Sequence, residues 1–240
     1  MSHPKHNQLL AALPQCVKDR ILPQLRLVEL PLSKVLCEAG QEISYVYFPN
    51  NCIVSLICVM RDGHSAEISV VGYEGIVGIS AFMGGASTTS RAVVQSAGPA
   101  YRMPAAQLKR EFNSDSALRV LLLRYTQALI TQMAQTAVCN RHHTIDQQLC
   151  RWLLLSLDRL PTNELIMTQE LIANLLGVRR EGVTEAACKL QKLGVIQYRR
   201  GHITLIDRKE LEALSCECYV MAKKETDRLA TYPQHLYPNA

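Results

Sequence analysis

The sequence predicts an α+β chain, with strands in its first half and helices in its second. Three observations carry this. Apolar and small residues alternate along Val46 and Phe48 and again along Ile53, Ser55, Ile57 and Val59, the period of a strand with one buried face. Turn signals break the stretch from about Arg26 to Met103 at short intervals: Asp62-Gly63, Gly72, Glu74-Gly75, Gly84-Gly85 and Gly98-Pro99. From about Ser114 the period becomes helical, with Leu118, Leu122, Tyr125 and Leu129 recurring at steps of four, three and four.

Many short strands without a βαβ period favour a jelly roll or barrel over a parallel sheet. The Asp62-Gly63 pair between CIVSLICVM and AEISVV predicts a hairpin. In the long helix, Gln132 and Thr136 continue the Leu118 stripe in polar form, and Leu121, Leu123, Ala128 and Met133 add apolar surface outside it. One face has the roll to cover. The stripe Leu118, Leu122, Tyr125, Leu129, Gln132 and Thr136 is expected to meet a second copy of the chain. A polar stretch, Cys139 to His143, is the expected hinge, and a further helix runs from about Asp146 to Leu160, where Pro161 stops it.

The densest information lies between Met167 and Ile206. Thr168 caps a helix that buries Leu171, Ile172 and Leu175, and Gly177 permits a left-handed turn. A second helix, about Arg179 to Lys192, sets Val183, Ala186, Ala187 and Leu190 behind a polar leading face. Two short strands then flank Tyr198-Arg199-Arg200-Gly201-His202 as a wing. This is the layout of a winged helix-turn-helix. From Arg179 to His202 six Lys or Arg face two Glu, an excess of four on a chain whose net charge is only +5. Arg179, Arg180, Glu181, Thr184 and Glu185 are the expected base contacts. An arginine fork matches guanine O6 and N7, and a glutamate accepts from cytosine N4. Thr168, Lys189, Arg199, Arg200 and His202 are the expected phosphate and wing contacts.

On these residues, above all TQELIANLLGVRREGVTEAACKLQKLGVI, the chain resembles the cyclic-AMP receptor and fumarate-nitrate regulator (Crp/Fnr) family. The resemblance runs from Leu9 to about Leu214. It implies a cyclic-nucleotide-binding-like β-roll at 1–113, a dimerisation helix and hinge at 114–140, the winged helix-turn-helix at 141–214 and a C-terminal extension at 215–240. The family's base-reading arginine and glutamate fall on Arg180 and Glu181. A third position, usually arginine in cyclic-nucleotide-responsive members, falls on Glu185, so a different operator is implied. Those members also carry Gly-Glu and, about ten residues on, Arg-Ser. Here Ile79 stands in place of the glutamate and Thr89 in place of the arginine. A buried phosphate without a cationic partner is costly, which argues against a cyclic nucleotide. Gly78, Ser80, Ser90 and Arg91 remain as candidate ligand contacts.

The resemblance thus implies a transcription regulator acting as a homodimer on double-stranded DNA, with an unidentified small effector and RNA polymerase as further candidate partners. Two alternatives share the layout: a ligand-sensing protein-interaction regulator that does not touch DNA, and a constitutive DNA binder whose roll is a scaffold. No catalytic group, metal, cofactor or membrane partner is expected, and the cytoplasm is the expected compartment. The nine cysteines are odd in number and scattered, unlike a disulfide framework or an N-terminal iron–sulfur cluster. Cys216-Glu217-Cys218 reads as a helix with one buried and one exposed thiol, or as a pair able to join Cys188 or a partner subunit in redox or metal chemistry.

Overall fold

Alternating strands divide residues 26–104 between two antiparallel sheets. The computed structural model describes residues 6–85 and 87–230. One sheet has the order β1-β7-β3, from β1 (Arg26–Leu30), β7 (Gly98–Pro104) and β3 (Tyr45–Pro49). The other has the order β2-β6-β4-β5, from β2 (Val35–Cys37), β6 (Arg91–Ser96), β4 (Ile53–Val59) and β5 (Ser65–Val71). The β4–β5 hairpin turns where Asp62-Gly63 predicts. Gly63 has φ +89°, and the Asp62 carboxylate accepts the His64 amide at 3.0 Å.

Two short helices, α1 (Gln8–Ala12) and α2 (Gln15–Ile21), precede the roll, and α3 (Ala105–Ser114) follows it. Asp115 caps the long helix α4 (Ser116–His142), accepting the Leu118 amide at 2.8 Å. Of the expected hinge, Cys139 to His143, only the last residue leaves the helix. Helical backbone continues through His142, and the break falls at His143-Thr144, where Thr144 and Gln147 form a capping box for α5 (Ile145–Leu157). That box starts the next helix at once, so the polar side chains of the segment need no loop. α5 ends at Leu157 rather than Leu160, with Asp158 as its C-cap.

The C-terminal half comprises β8 (Glu164–Ile166), α6 (Gln169–Leu176), α7 (Arg180–Lys192), β9 (Ile196–Arg199), β10 (His202–Leu205) and α8 (Arg208–Leu214). The three strands pair as β8-β10-β9. Beyond them, in the C-terminal extension, α9 (Glu217–Ala230) packs along α4, and the helix read at Cys216-Glu217-Cys218 is its start. The first five residues of the 1–113 segment and 231–240 of the extension lie outside the described residues.

Two apolar cores result. The roll core joins Phe48, Val54, Val71, Val94 and Met103 to Leu121 and Leu122 of α4. The other gathers Leu149, Leu153 and Leu154 of α5 with Ile172, Val183, Leu190 and Ile203, and it takes in Ile53 and Val70 from the roll. Polar contacts seal this joint. Arg159 ion-pairs with Glu74 at 2.7 Å and donates to Gln132 of α4 at 3.3 Å, Trp152 donates to Glu67 at 3.0 Å, and Gln95 donates to Ser156 at 3.1 Å.

Candidate nucleic-acid interface

The turn that aims α7 begins with a cap. The Thr168 hydroxyl accepts the Leu171 amide at 3.3 Å and starts α6. Gly177 ends α6 in the left-handed region at φ +68° and ψ 33°, a conformation that costs other residues a Cβ clash. Arg179 is the N-cap of α7, and Arg180 is its first residue. Val183, Ala186, Ala187 and Leu190 are buried. Gly182 lets the start of α7 lie against α5, because a Cβ there would sit 2.7 Å from Ile145 Cδ1. The opposite face is free: Arg179, Arg180, Glu181 and Glu185 are exposed and Thr184 is half-buried. α6 differs in one detail, since Leu171 is partly exposed and Ala173 and Leu176 join Ile172 and Leu175 in the core.

The wing turns tightly at Arg200 and Gly201, both at positive φ (51° and 83°), the pattern of a two-residue hairpin whose twist matches its strands. This holds Arg199, Arg200 and His202 at an exposed tip. The Tyr198 hydroxyl donates to Met167 O at 2.8 Å and ties the wing to the entry of α6. An open cleft of about 500 Å³ lies between them, lined by Thr168, Gln169, Arg180, Gln191, Tyr198 and Arg200 among others. Gln169 was not singled out from the sequence. Its amide oxygen accepts the Thr184 hydroxyl at 2.8 Å, so Thr184 is held by α6 as well as by Arg180 O. Lys189 is engaged too, in an exposed ion pair with Asp146 that a phosphate contact would have to displace.

Within the roll lies a smaller cavity of about 170 Å³, below the usual size of ligand pockets. Leu36, Ile43, Tyr45, Tyr47 and Ile79 give it an apolar wall, and Met133 of α4 closes one side. Gly78, Ser80 and Ser90 line it, as does Thr89. Arg91 does not. Its guanidinium leaves the cavity to pair with Glu38 at 2.8 Å, because on β6 adjacent residues face opposite ways.

Roll, long helix and winged helix-turn-helix occur here in a fixed order, and known domains match in the same order. The description "cyclic nucleotide-binding domain" fits residues 27–115, and "Crp-like helix-turn-helix domain" fits residues 147–214. The chain belongs to the Crp/Fnr family. It is a DNA-binding transcription regulator. Solved Crp/Fnr structures share its fold. One, described as a transcriptional regulator of the family from Eubacterium rectale, has 18% identity and a TM-score of 0.68, covering 88% of this chain and 98% of its own. TTHB099, a CRP-family regulator from Thermus thermophilus, has 16% identity and a TM-score of 0.66 over 78% of this chain and 96% of its own. The c-di-GMP-responsive regulator CLP from Xanthomonas campestris has 17% identity and a TM-score of 0.64 over 81% and 100%. No curated protein sequence matches the chain.

In this Crp/Fnr chain the stripe expected to meet a partner faces inward. Leu118, Leu122, Tyr125, Leu129, Gln132 and Thr136 are all buried against the chain's own roll and α5. Tyr125 lies so close to the roll that a Cβ on Gly75 would come within 2.3 Å of its ring. Gln132 donates toward Val70 O at 3.4 Å, which explains its polarity without a partner helix. The outward strip runs instead through Leu123, Gln127, Ile130, Ala134 and Ala137. The regulator's thiols also depart from expectation. Cys216 and Cys218 are both buried, and they join Cys139, not the exposed Cys188. A hydrogen bond with the Cys139 thiol pulls the Cys216 pKa down.

Proposed function

We propose that the protein binds operator DNA as a homodimer, with α7 of each subunit in the major groove. The observation that carries this reading is the free leading face of α7, with Arg179, Arg180, Glu181 and Glu185 exposed over a fully buried rear. Arg180 is the guanine reader and Glu181 the cytosine acceptor, while Glu185 disfavours bases whose edges present acceptors at its position. Thr168, Arg199, Arg200 and His202 flank the cleft and wing where backbone phosphates would pass, and Lys189 joins them once Asp146 releases it.

The subunits meet along the outward strip of α4. Leu123, Gln127, Ile130, Ala134 and Ala137 follow steps of four, three, four and three, the spacing of a two-helix seam. Such a seam would set the two α7 helices about 34 Å apart, one turn of B-DNA. The roll is the sensor, and its small apolar cavity suits a compact apolar effector better than a cyclic nucleotide, with Ile79 and Thr89 on its wall.

The deciding experiment selects bound duplexes from a random pool and then compares the wild type with Arg180→Ala on the selected site. Loss of one bidentate base contact costs about 1–3 kcal/mol, so specific affinity should fall roughly 5- to 150-fold while binding to random duplex changes little. Unchanged affinity for both duplexes would remove Arg180 from the base-reading role.

A further inference from the structure

Three thiols and an imidazole converge where the long helix hands over to the DNA-binding half. Cys139 lies in the last turn of α4, and His143 caps that helix four residues later. Cys216 and Cys218 arrive from the joint between α8 and α9, 77 residues beyond Cys139. Their four ligand atoms all lie within 4.8 Å of one another. The three thiols are buried, and the imidazole is nearly so.

The separations have a specific meaning. Cys139 Sγ and Cys216 Sγ are 3.6 Å apart, as are Cys218 Sγ and His143 Nδ1. A tetrahedral ion with bonds of about 2.3 Å to sulfur and about 2.1 Å to nitrogen has S–S edges of roughly 3.8 Å and S–N edges of roughly 3.6 Å. A disulfide needs about 2.05 Å. An iron–sulfur cluster spreads its four ligands over two or more irons and holds those on different irons further apart than this group allows.

Two further observations concern what surrounds the group. His143 directs Nδ1 at the thiols while Nε2 meets the Glu217 carboxylate at 3.4 Å, the outer partner that fixes the tautomer of a metal-bound histidine. Arg151 is buried beside it, acting electrostatically on Cys139 and Cys218; it donates to Thr136 at 2.6 Å, but its Nε has no partner among the described residues. Three thiolates, one neutral imidazole and a divalent ion sum to one negative charge, which would balance this guanidinium.

We propose that Cys139, His143, Cys216 and Cys218 bind one thiophilic divalent ion of the zinc class. Binding releases the three thiol protons to solvent. All four positions are filled by protein, so the ion has no open site for a substrate and its role is to clamp. It pins the start of α9 to the end of α4 at the point where α5 begins, and so fixes the direction in which the DNA-binding half leaves the long helix.

The test is independent of any operator. Full-length protein, purified under reductant without chelator and then given excess Zn²⁺ and desalted, should carry one equivalent per chain. Co²⁺ in its place should give the intense visible bands of a tetrahedral site with thiolate charge transfer in the near ultraviolet. The double variant Cys216→Ser/Cys218→Ser should lose the ion at least about tenfold in occupancy, and Cys188→Ser should keep it. His143→Cys, which preserves four ligands, should retain an equivalent with stronger charge transfer, guarding against loss through misfolding. The proposal is overturned by wild-type protein with nine titratable thiols and no retained ion, by a double variant that keeps its equivalent, by an octahedral cobalt spectrum, or by a Cys139–Cys216 disulfide in the reduced preparation.

Discussion

Glu67 stands on β5 beneath Trp152 of α5, and burial lifts its carboxyl pKa from 4.5 to about 7. The indole N–H satisfies one oxygen, while the other has no partner among the described residues. Arg151 and Arg159 pull the other way without overcoming the burial. The folded chain therefore holds this proton more tightly than the unfolded chain does. The resulting stability is complete below pH 4.5 and drains away as pH rises toward 7, by an amount on the order of 3 kcal/mol. Glu67→Gln keeps an acceptor for Trp152 and has no charge to bury. Urea titrations across pH 4 to 8 should show the variant matching the wild type at the acid end and exceeding it at pH 8. Equal slopes in the two proteins would show that Glu67 does not titrate in this range. The sequence does not reveal this residue. Ser65, Glu67 and Ser69 look like the wet face of an alternating strand, and only the docking of α4 and α6 on β5, with Trp152 reaching Glu67, dries it.

Among the elements, the pair α6–α7 was the most legible because its signals are local. A capping threonine, one glycine at positive φ and a four-residue apolar rear all lie within 23 residues of sequence, and each specifies backbone without reference to distant chain. The long helix was only half legible. Its periodicity fixes that it is a helix, but two apolar strips compete for the roll, and the choice between them depends on contacts such as Tyr125 on Gly75 that lie 50 residues away. The richer strip went inward. That leaves a poorer strip for association, with Leu123 and Ile130 exposed at 44% and 50%. Ile130→Glu places a charge at the centre of the proposed seam and touches no buried contact. It should convert the dimer to a monomer in sedimentation while leaving the thermal midpoint of the isolated subunit fold nearly unchanged. A variant that remained dimeric would move the seam elsewhere. The thiol group was illegible for a related reason: Cys216-x-Cys218 lacks ordinary metal spacing, and its other two ligands arrive only when α9 folds back along α4.

For the molecule as a whole, the two halves are joined around a buried ion pair. Arg159, just past the end of α5, pairs with Glu74 in the roll and reaches Gln132 on α4, with arginine and glutamate side chains only 6% and 9% exposed. Removing one member strands a buried charge, which typically costs 3–5 kcal/mol. Arg159→Met should therefore destabilise the chain strongly in denaturant, and adding Glu74→Gln should recover most of the loss. A double variant no better than the single would mean that packing of the Arg159 stem against Gly72, not charge, holds the joint. Overall chain order and the division into roll, helix and winged helix-turn-helix were readable because each part has its own period. The joint between them was not, since it is made of single polar residues drawn from four separate stretches.

Met133 forms part of the wall of the roll cavity, and its immediate neighbour Gln132 receives Arg159. An effector held in the cavity, as proposed, and the arginine that anchors the DNA-binding half would thus press on adjacent residues of the same helix, α4. In the proposed sensor, the residue that would meet the effector and the residue that holds Arg159 are one peptide unit apart.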